Sequence, residues 1–204
     1  MRFTNQAGAS LAGVLLGSGA TGVLLAHQSD GDVCQWLPFA NDLADAGYRV
    51  LAFDFAGDGA SDPAGNSTLD GDVVAATGFL REHGATAVVL VGASMGGTAV
   101  VAAAPAVKPP PAGVVSLSGP ARFAGVDAQH AAAALTVPVL YAAGDGDENF
   151  AAQARSLYDA TPTTVDRTLV VVHSSEHGVD FVNDHGDTSR QVRQAMLDFL
   201  AAHG

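Results

Sequence analysis

The stretch from Val88 to Gly97, which reads VVLVGASMGG, constrains the fold of this chain more than any other. Its first residues are apolar, as in a buried strand, and Gly92-Ala93-Ser94-Met95-Gly96 follows them. A serine between a parallel strand and a helix occupies a cramped backbone conformation, so the positions two before and two after it need to be glycine. The spacing predicts a strand, a tight turn and a helix. It raises the Ser94 hydroxyl above the sheet edge, where the helix directs its amide groups at developing negative charge.

The rest of the chain alternates in the same way between strand-like runs and helical stretches. Strands are predicted at 14–16, 23–26, 48–55, 86–91, 113–117, 137–142 and 167–172, and helices at 34–46, between a cap at Ser67 or Thr68 and Gly84, at 98–104 and at 188–202. Such alternation predicts an α/β fold with a mostly parallel central sheet and helices on both faces, and it places ligands at the carboxyl ends of the strands. Since neither a linker nor a repeat interrupts the 204 residues, the chain (1–204) is predicted to be a single domain.

The charge of the chain limits the partners that it can bind. Nine basic and 21 acidic residues give a formal net charge of −12, which repels nucleic acids and anionic membranes. We therefore expect a small uncharged partner, and neither a nucleic acid nor a membrane. The only cysteine, Cys34, allows no internal disulfide and fits a reducing cytoplasm. No apolar run approaches the roughly 18 residues of a membrane span, so a soluble, cytoplasmic protein is expected.

Residues 17–22, GSGATG, match the glycine fingerprint of dinucleotide-binding folds letter for letter. That fingerprint needs a helix opening at its glycines, whereas Gly22 leads directly into the strand-like run 23–26. We therefore predict a glycine-rich hairpin between two strands, and no nucleotide cofactor.

A serine hydroxyl becomes a useful nucleophile when a base takes its proton and an acid orients that base. In a chain of this type the acid follows the serine, and the histidine comes last. Three carboxylates, on Asp145, Asp147 and Glu148, follow the predicted strand 137–142 and compete for the role. We assign Asp147 as the orienting acid.

The strand predicted at 167–172 leads into residues 173–178, HSSEHG, and a histidine in such a loop can reach back over Ser94. We assign His177 as the base, and His173 and His185 are the alternatives. A metal site formed by His173, Glu176, His177 and Asp180 is a further alternative, but its irregular loop spacing is not that of a metal motif, so no metal is expected.

These motifs together resemble those of the α/β-hydrolases, and the resemblance covers nearly the whole chain. Ala26-His27-Gln28-Ser29 resembles the strand-end HG pattern of the family, residues 54–61, DFAGDGAS, resemble its DxxGxGxS pattern, and Gly92–Gly96 is its elbow. The family's GxxD acid falls on Asp147 and its HG histidine on His177, with the pair His185-Gly186 ranking second.

The resemblance implies a serine hydrolase that works through an acyl-enzyme, without a cofactor. It implies an oxyanion hole formed by the amide of Met95 and that of Gln28 or Ser29, although Gln28 stands where glycine is usual. His27 and Asp54 are then structural. Only residues 120–136 are available where related enzymes insert a lid, which favours small or medium esters or thioesters. The alternative is a hydrolase-fold protein that binds a ligand or partner without turnover.

Overall fold

The computed structural model describes residues 1–204, with ten strands and seven α-helices. The strands are β1 (Arg2–Thr4), β2 (Ser10–Leu16), β3 (Thr21–Ala26), β4 (Arg49–Phe53), β5 (Ala87–Ala93), β6 (Gly113–Leu117), β7 (Arg122–Phe123), β8 (Val126–Asp127), β9 (Val139–Gly144) and β10 (Arg167–Val172). The helices are α1 (Leu37–Asp45), α2 (Leu69–Glu82), α3 (Met95–Ala103), α4 (Ala128–Ala132), α5 (Phe150–Ala160), α6 (Asp180–Asn183) and α7 (Asp187–His203).

Eight strands form one sheet in the order β1-β2-β4-β3-β5-β6-β9-β10. The six strands from β4 to β10 in that order run parallel, whereas β1 and β2 are antiparallel to their neighbours at one edge. The remaining strands, β7 and β8, form a separate small hairpin. The predicted mostly parallel sheet is therefore confirmed.

Apolar residues cover both faces of this sheet because successive side chains of a strand point to opposite sides. Within β3, Leu24 belongs to a core of 28 buried residues that includes residues of α2, α3, α4 and α5. Its neighbours Val23 and Leu25 belong to a second core of 23 buried residues, with α1, α6 and α7. Helices on both faces, as predicted, leave the carboxyl ends of the parallel strands open as one rim.

The glycine-rich stretch 17–22 does not form the predicted hairpin. Both flanking runs are strands, β2 and β3, but β4 lies between them and pairs with each. A Cβ atom on Gly19 would lie only 2.0 Å from the carbonyl oxygen of Gly47. The glycines thus let the connection pass close to the backbone that precedes β4, and the hairpin prediction is wrong because local sequence does not show which strand will be inserted.

The helix predicted at 34–46 begins differently from the prediction, and three helices, α4, α5 and α6, were not predicted. The first begins as a 3-10 helix, Val33–Trp36, and becomes α1 only at Leu37. Helix α5 was not predicted, and its N-cap residue, Asn149, makes no capping hydrogen bond that would mark its start. None of the seven helices has both the length and the apolar character needed to cross a bilayer.

Candidate active site

Ser94 lies in the turn between β5 and α3, where the sequence predicts it. Its backbone has φ 49° and ψ −115°, a conformation that costs free energy in a residue with a side chain. The Ser94 amide donates to the carbonyl oxygen of Leu117 at 2.8 Å, and the Ser94 carbonyl accepts from the amide of Thr98 at 3.0 Å. These bonds to β6 and to the first turn of α3 hold the strained residue in place.

The two glycines of the elbow are needed for close approach. A Cβ atom on Gly92 would lie 2.2 Å from the Gly96 carbonyl oxygen, and one on Gly96 would lie 2.2 Å from the Ala26 carbonyl oxygen. The positive φ belongs to Ser94 and not to the glycines. The glycines therefore allow the first turn of α3 to pack against the ends of β5 and β3, and this packing positions the serine.

Asp147 and His177 follow the adjacent parallel strands β9 and β10, and their side chains meet. His177 Nδ1 lies 2.7 Å from Asp147 Oδ2. The Asp147 side chain is 8% exposed and that of His177 26% exposed. The ring of Phe150, the first residue of α5, packs against the imidazole at a centroid distance of 4.5 Å. The carboxylate therefore fixes which ring nitrogen stays free, and the phenyl ring limits how the imidazole can turn.

Ser118 is a contributor that the sequence analysis missed. It follows β6, is fully buried and has a positive φ of 48°. Its hydroxyl donates to Asp147 Oδ2 at 2.9 Å and accepts from the amide of Gly178 at 3.3 Å. Ser118 thereby joins the loop of the acid to the loop of the histidine. A polar residue at the carboxyl end of the apolar run 113–117 is the signal that could have drawn attention to it.

Ser94 and His177 line the same cleft, which has a volume of about 730 Å³. Asp147, Gln28 and Ser29 also line it, so five of the six residues assigned from the sequence come together there. No hydrogen bond joins the Ser94 hydroxyl to the imidazole in this structure. Catalytic hydrogen bonds are often long before substrate binds and tighten in the complex, so the shared cleft is the relevant arrangement.

The backbone groups assigned to the oxyanion hole occupy different surroundings. Met95 is buried as the first residue of α3, where helix amides have no acceptor within the helix. The Gln28 amide donates to Gln35 Oε1 at 3.3 Å, and the Gln28 side chain accepts from the amide of Val179 at 3.2 Å. The glutamine that replaces the usual glycine therefore contacts the histidine loop.

None of the alternative acids and bases takes part in the pair formed by Asp147 and His177. His173 Nδ1 lies 3.0 Å from Asp145 Oδ1, and these side chains are 98% and 47% exposed. His185 is exposed as well, and Glu148 is exposed at the edge of the cleft with a positive φ of 41°. The structure thus brings Asp147, and neither competing carboxylate, to His177.

Glu176, one member of the alternative metal set, is bonded to hydroxyl groups. Its Oε1 accepts from Ser189 at 2.6 Å, and its Oε2 accepts from Ser174 and Thr188, both at 3.0 Å. No group of three or more His, Cys, Asp or Glu side chains is arranged to hold a metal ion. Glu176 instead ties the histidine loop to the start of α7.

His27 and Asp54 shape the loops around the cleft. His27 is fully buried, its Nδ1 lies 2.8 Å from the Gln28 carbonyl oxygen, and its Nε2 accepts from the Phe55 amide at 3.1 Å. Asp54 accepts from the amides of Val33 and Ala60 at 2.7 and 2.9 Å. Neither side chain lines the cleft, so both hold backbone in place.

A second hollow of about 600 Å³ lies between α2, α4 and the β7–β8 hairpin, and none of the assigned catalytic residues lines it. Its wall includes Asp72, a buried side chain that accepts from Asn5 Nδ2 at 2.6 Å and from the Ala56 amide at 2.9 Å. Desolvation by burial raises the pKa of Asp72 above its ordinary value.

Comparison with known proteins identifies the fold. A family model described as alpha/beta hydrolase fold matches residues 19–135. No curated protein matches the sequence significantly. Among solved structures, an esterase of Pyrococcus furiosus is similar with a TM-score of 0.85 at 15% identity, covering 100% of this chain and 91% of the other.

Two further structures agree. An enol-lactonase of Burkholderia xenovorans has a TM-score of 0.79 at 19% identity, covering 98% of this chain and 100% of the other. A thermophilic esterase of Thermogutta terrifontis has a TM-score of 0.78 at 19% identity, covering 100% and 99%. The TM-scores show that these proteins share the fold of this chain, and at such low identities the similarity shows the fold alone.

Proposed function

Because this chain belongs to the α/β-hydrolase family, we propose that it is a serine hydrolase that cleaves small or medium carboxylic esters or thioesters. Ser94 is the nucleophile, His177 the general base and Asp147 the acid that orients it. The observation that carries the proposal is the cleft itself, because it brings a serine on strained backbone together with a histidine bonded to a carboxylate.

Each step of the proposed reaction has a group that can carry it out. Since His177 Nδ1 is bonded to Asp147, Nε2 is the nitrogen that removes the Ser94 proton as the hydroxyl oxygen attacks the ester carbonyl. The imidazolium then returns this proton to the leaving alcohol or thiol, and an acyl-enzyme remains. Water, activated by the same nitrogen, attacks the acyl carbon, and the acid product leaves with Ser94 restored.

The oxyanion of each tetrahedral intermediate is stabilised by backbone amides. Met95 supplies one amide from the positive end of α3, and Gln28 or Ser29 supplies the other. If Gln28 is the donor, its amide breaks its hydrogen bond to Gln35 Oε1 and donates to the oxyanion instead.

The short connection between β6 and β9 supports the proposal that the substrates are small or medium in size. It contains only the β7–β8 hairpin and the short helix α4, so no lid domain covers the cleft. The similarity to proteins described as esterases supports ester hydrolysis as the reaction. Since the helices and the strands share two continuous buried cores, we propose that residues 1–204 act as one catalytic domain. The proposed reaction needs no cofactor.

A fluorophosphonate probe tests the proposal, because it forms a covalent adduct with a serine that a neighbouring base activates. We expect one adduct, on Ser94, and turnover of p-nitrophenyl esters that declines with acyl chain length. Ser94→Ala should abolish both with the fold intact, whereas Ser18→Ala, which changes an exposed serine outside the cleft, should affect neither.

The competing function is ligand binding without turnover. The missing hydrogen bond between Ser94 and His177 is the observation that favours it. Folded wild-type protein that neither reacts with the probe nor hydrolyses any ester would support this alternative and refute the serine hydrolase.

A further inference from the structure

The side chains that line the active-site cleft carry negative charge and no balancing positive charge. Besides Asp147 and His177, the charged lining residues are Asp30 and Glu148, and no lysine or arginine lines the cleft. Neither carboxylate makes an ion pair, and both residues are exposed. Ser94, which is only 7% exposed and whose hydroxyl has no partner, lines the same space.

The two acidic residues reach the cleft from opposite sides of the strand that leads to Ser94. Asp30 follows β3 and Glu148 follows β9, and these strands lie on opposite sides of β5 in the sheet. Both residues have positive φ, 63° for Asp30 and 41° for Glu148, which costs free energy in residues with side chains. The surrounding structure therefore holds Asp30 and Glu148 at the rim although their backbone conformations are unfavourable.

Neither Arg122, which precedes the lining residue Phe123, nor Arg155 on α5 lines the cleft beside them. Arg122 Nε lies 2.9 Å from Asp127 Oδ2, and the Arg122 side chain is 73% exposed. Arg122 lines a separate shallow hollow with Gln129 and Ser156. A substrate in the cleft therefore experiences the unpaired carboxylates without a compensating cation.

The other walls also suit a cation. The rings of Phe123 and Phe150 line the cleft, and the face of an aromatic ring attracts an ammonium group. The remaining polar side chains there are uncharged, apart from the catalytic pair. A carboxylate on the substrate would find no charged partner and two repelling groups.

We propose that this cleft selects esters that carry a cationic ammonium group, ahead of neutral esters and well ahead of anionic ones. The inference rests on the proposed function and replaces the expectation of an uncharged partner with a cationic one. Two carboxylates several ångströms away in a water-filled cleft change the rate for a singly charged substrate by about tenfold in each direction.

The test compares three acetate esters of similar size: that of choline, that of its carbon isostere, in which carbon replaces the quaternary nitrogen, and that of a hydroxycarboxylic acid of matching length. kcat/KM is measured by acid release at low salt. We expect the choline ester to exceed the isostere by about tenfold, and the isostere to exceed the anionic ester by a similar factor. About 0.5 M salt should shrink both ratios, because screening acts on exposed charges.

Variants attribute the effect to its source. Asp30→Asn combined with Glu148→Gln should bring the three rates to within about threefold of one another, since the charges that discriminate are gone. Asp45→Asn combined with Asp159→Asn removes the same net charge from exposed positions outside the cleft and should preserve the full ratios. Equal rates for the three esters, a preference for the anionic ester, or ratios unchanged by the first pair of substitutions would each overturn the inference.

A binding measurement separates this inference from the proposed function. Calorimetric titration of Ser94→Ala protein with choline needs no turnover, and the Asp30→Asn, Glu148→Gln background serves as its comparison. If no ester is hydrolysed, the proposed function fails. In that case, choline binding that is lost in the Asp30→Asn, Glu148→Gln background would still support the cation site. Absence of choline binding to Ser94→Ala protein would overturn the cation site as well as the proposed function.

Discussion

Two histidine–aspartate pairs lie on the loops after β9 and β10. They contain the same two residue types but differ in distance and in exposure to solvent. His177 and Asp147 approach to 2.7 Å with side chains 26% and 8% exposed. His173 and Asp145 approach to 3.0 Å with side chains 98% and 47% exposed. Only the first pair lines the cleft with Ser94.

The comparison shows that surroundings distinguish the pairs. Water and salt screen the exposed pair, so its bond has little energetic value. The other pair is fixed by the Ser118 hydroxyl on the carboxylate and by the Phe150 ring against the imidazole. An oriented base requires such fixed partners, because a mobile imidazole spends little time in the reactive geometry.

Replacement of the two histidines should give the largest contrast. His177→Gln removes the proposed base, and we expect kcat/KM for a p-nitrophenyl ester to fall by at least about a hundred-thousandfold. His173→Gln should stay within about twofold of wild type, because its side chain faces solvent. A comparable loss in both variants, measured on folded protein, would show that the comparison assigns the base wrongly.

The two aspartates should repeat this contrast with a smaller effect. Asp147→Asn keeps the shape but favours the wrong imidazole tautomer, and we expect kcat to fall by about ten-thousandfold. Asp145→Asn should leave kcat within about twofold. The Ser94 nucleophile is still present in each, so slow residual labelling by a fluorophosphonate should persist in Asp147→Asn.

Ser118→Ala tests whether the partner of the carboxylate matters. The substitution keeps a side chain of similar size on the same strained backbone, and we expect kcat to fall by about tenfold with little change in KM. Since Asp147 loses a hydrogen-bond donor, its negative charge is less stabilised by other groups and interacts more strongly with a protonated imidazole, so the acid limb of the pH profile of kcat/KM should move to higher pH.

An unchanged profile accompanied by a lower melting temperature would mean that Ser118 only supports the fold. Ser118→Gly is the matched variant, because it also lacks the hydroxyl but relieves the positive φ. It should show the same shifted profile with better stability than Ser118→Ala.

Asp72 is a third aspartate that can be compared with Asp147 and Asp145, since it is hydrogen-bonded and buried but lies outside the cleft. Its replacement should have the smallest effect of the variants proposed. Because burial raises its pKa, folding favours the protonated form. The free energy of unfolding of wild type relative to Asp72→Asn should be greatest below the ordinary aspartate pKa of about 3.9 and should fall as the pH rises through the raised pKa.

Urea unfolding at a series of pH values measures this difference, with near-ultraviolet circular dichroism to verify the native fold at each pH. A relative stability that increases with pH would contradict the direction of the shift. Turnover at neutral pH should not differ between the two proteins beyond about twofold, since Asp72 does not line the cleft.

Local patterns predicted much of the fold. The bounds of β6 and β10 agree with the prediction, and Thr68 caps α2 through the Gly71 amide as one of the two predicted caps. In contrast, the insertion of β4 between β2 and β3 depends on pairing between distant segments. Sequence periodicity contains no information about that choice.

The candidate site shows the same division. The elbow around Ser94 is a local turn, so its spacing predicts it. Ser118 acts through a bond to Asp147 that exists only because β6 and β9 are neighbours and because Ser118 adopts a positive φ. The roles of Ser94, Asp147 and His177 stay predictions that the variants above will test.

The hydrogen bonds between Glu176 and the start of α7 link the loop of the proposed base to the assembly of the final helix. Thr188 and Ser189 hold Glu176, and Glu176 precedes the proposed base. If α7 is not docked, the loop lacks its anchor even when the sheet has formed. In a refolding experiment, the return of the proposed hydrolase activity would therefore follow the docking of α7, whereas the return of secondary structure would not.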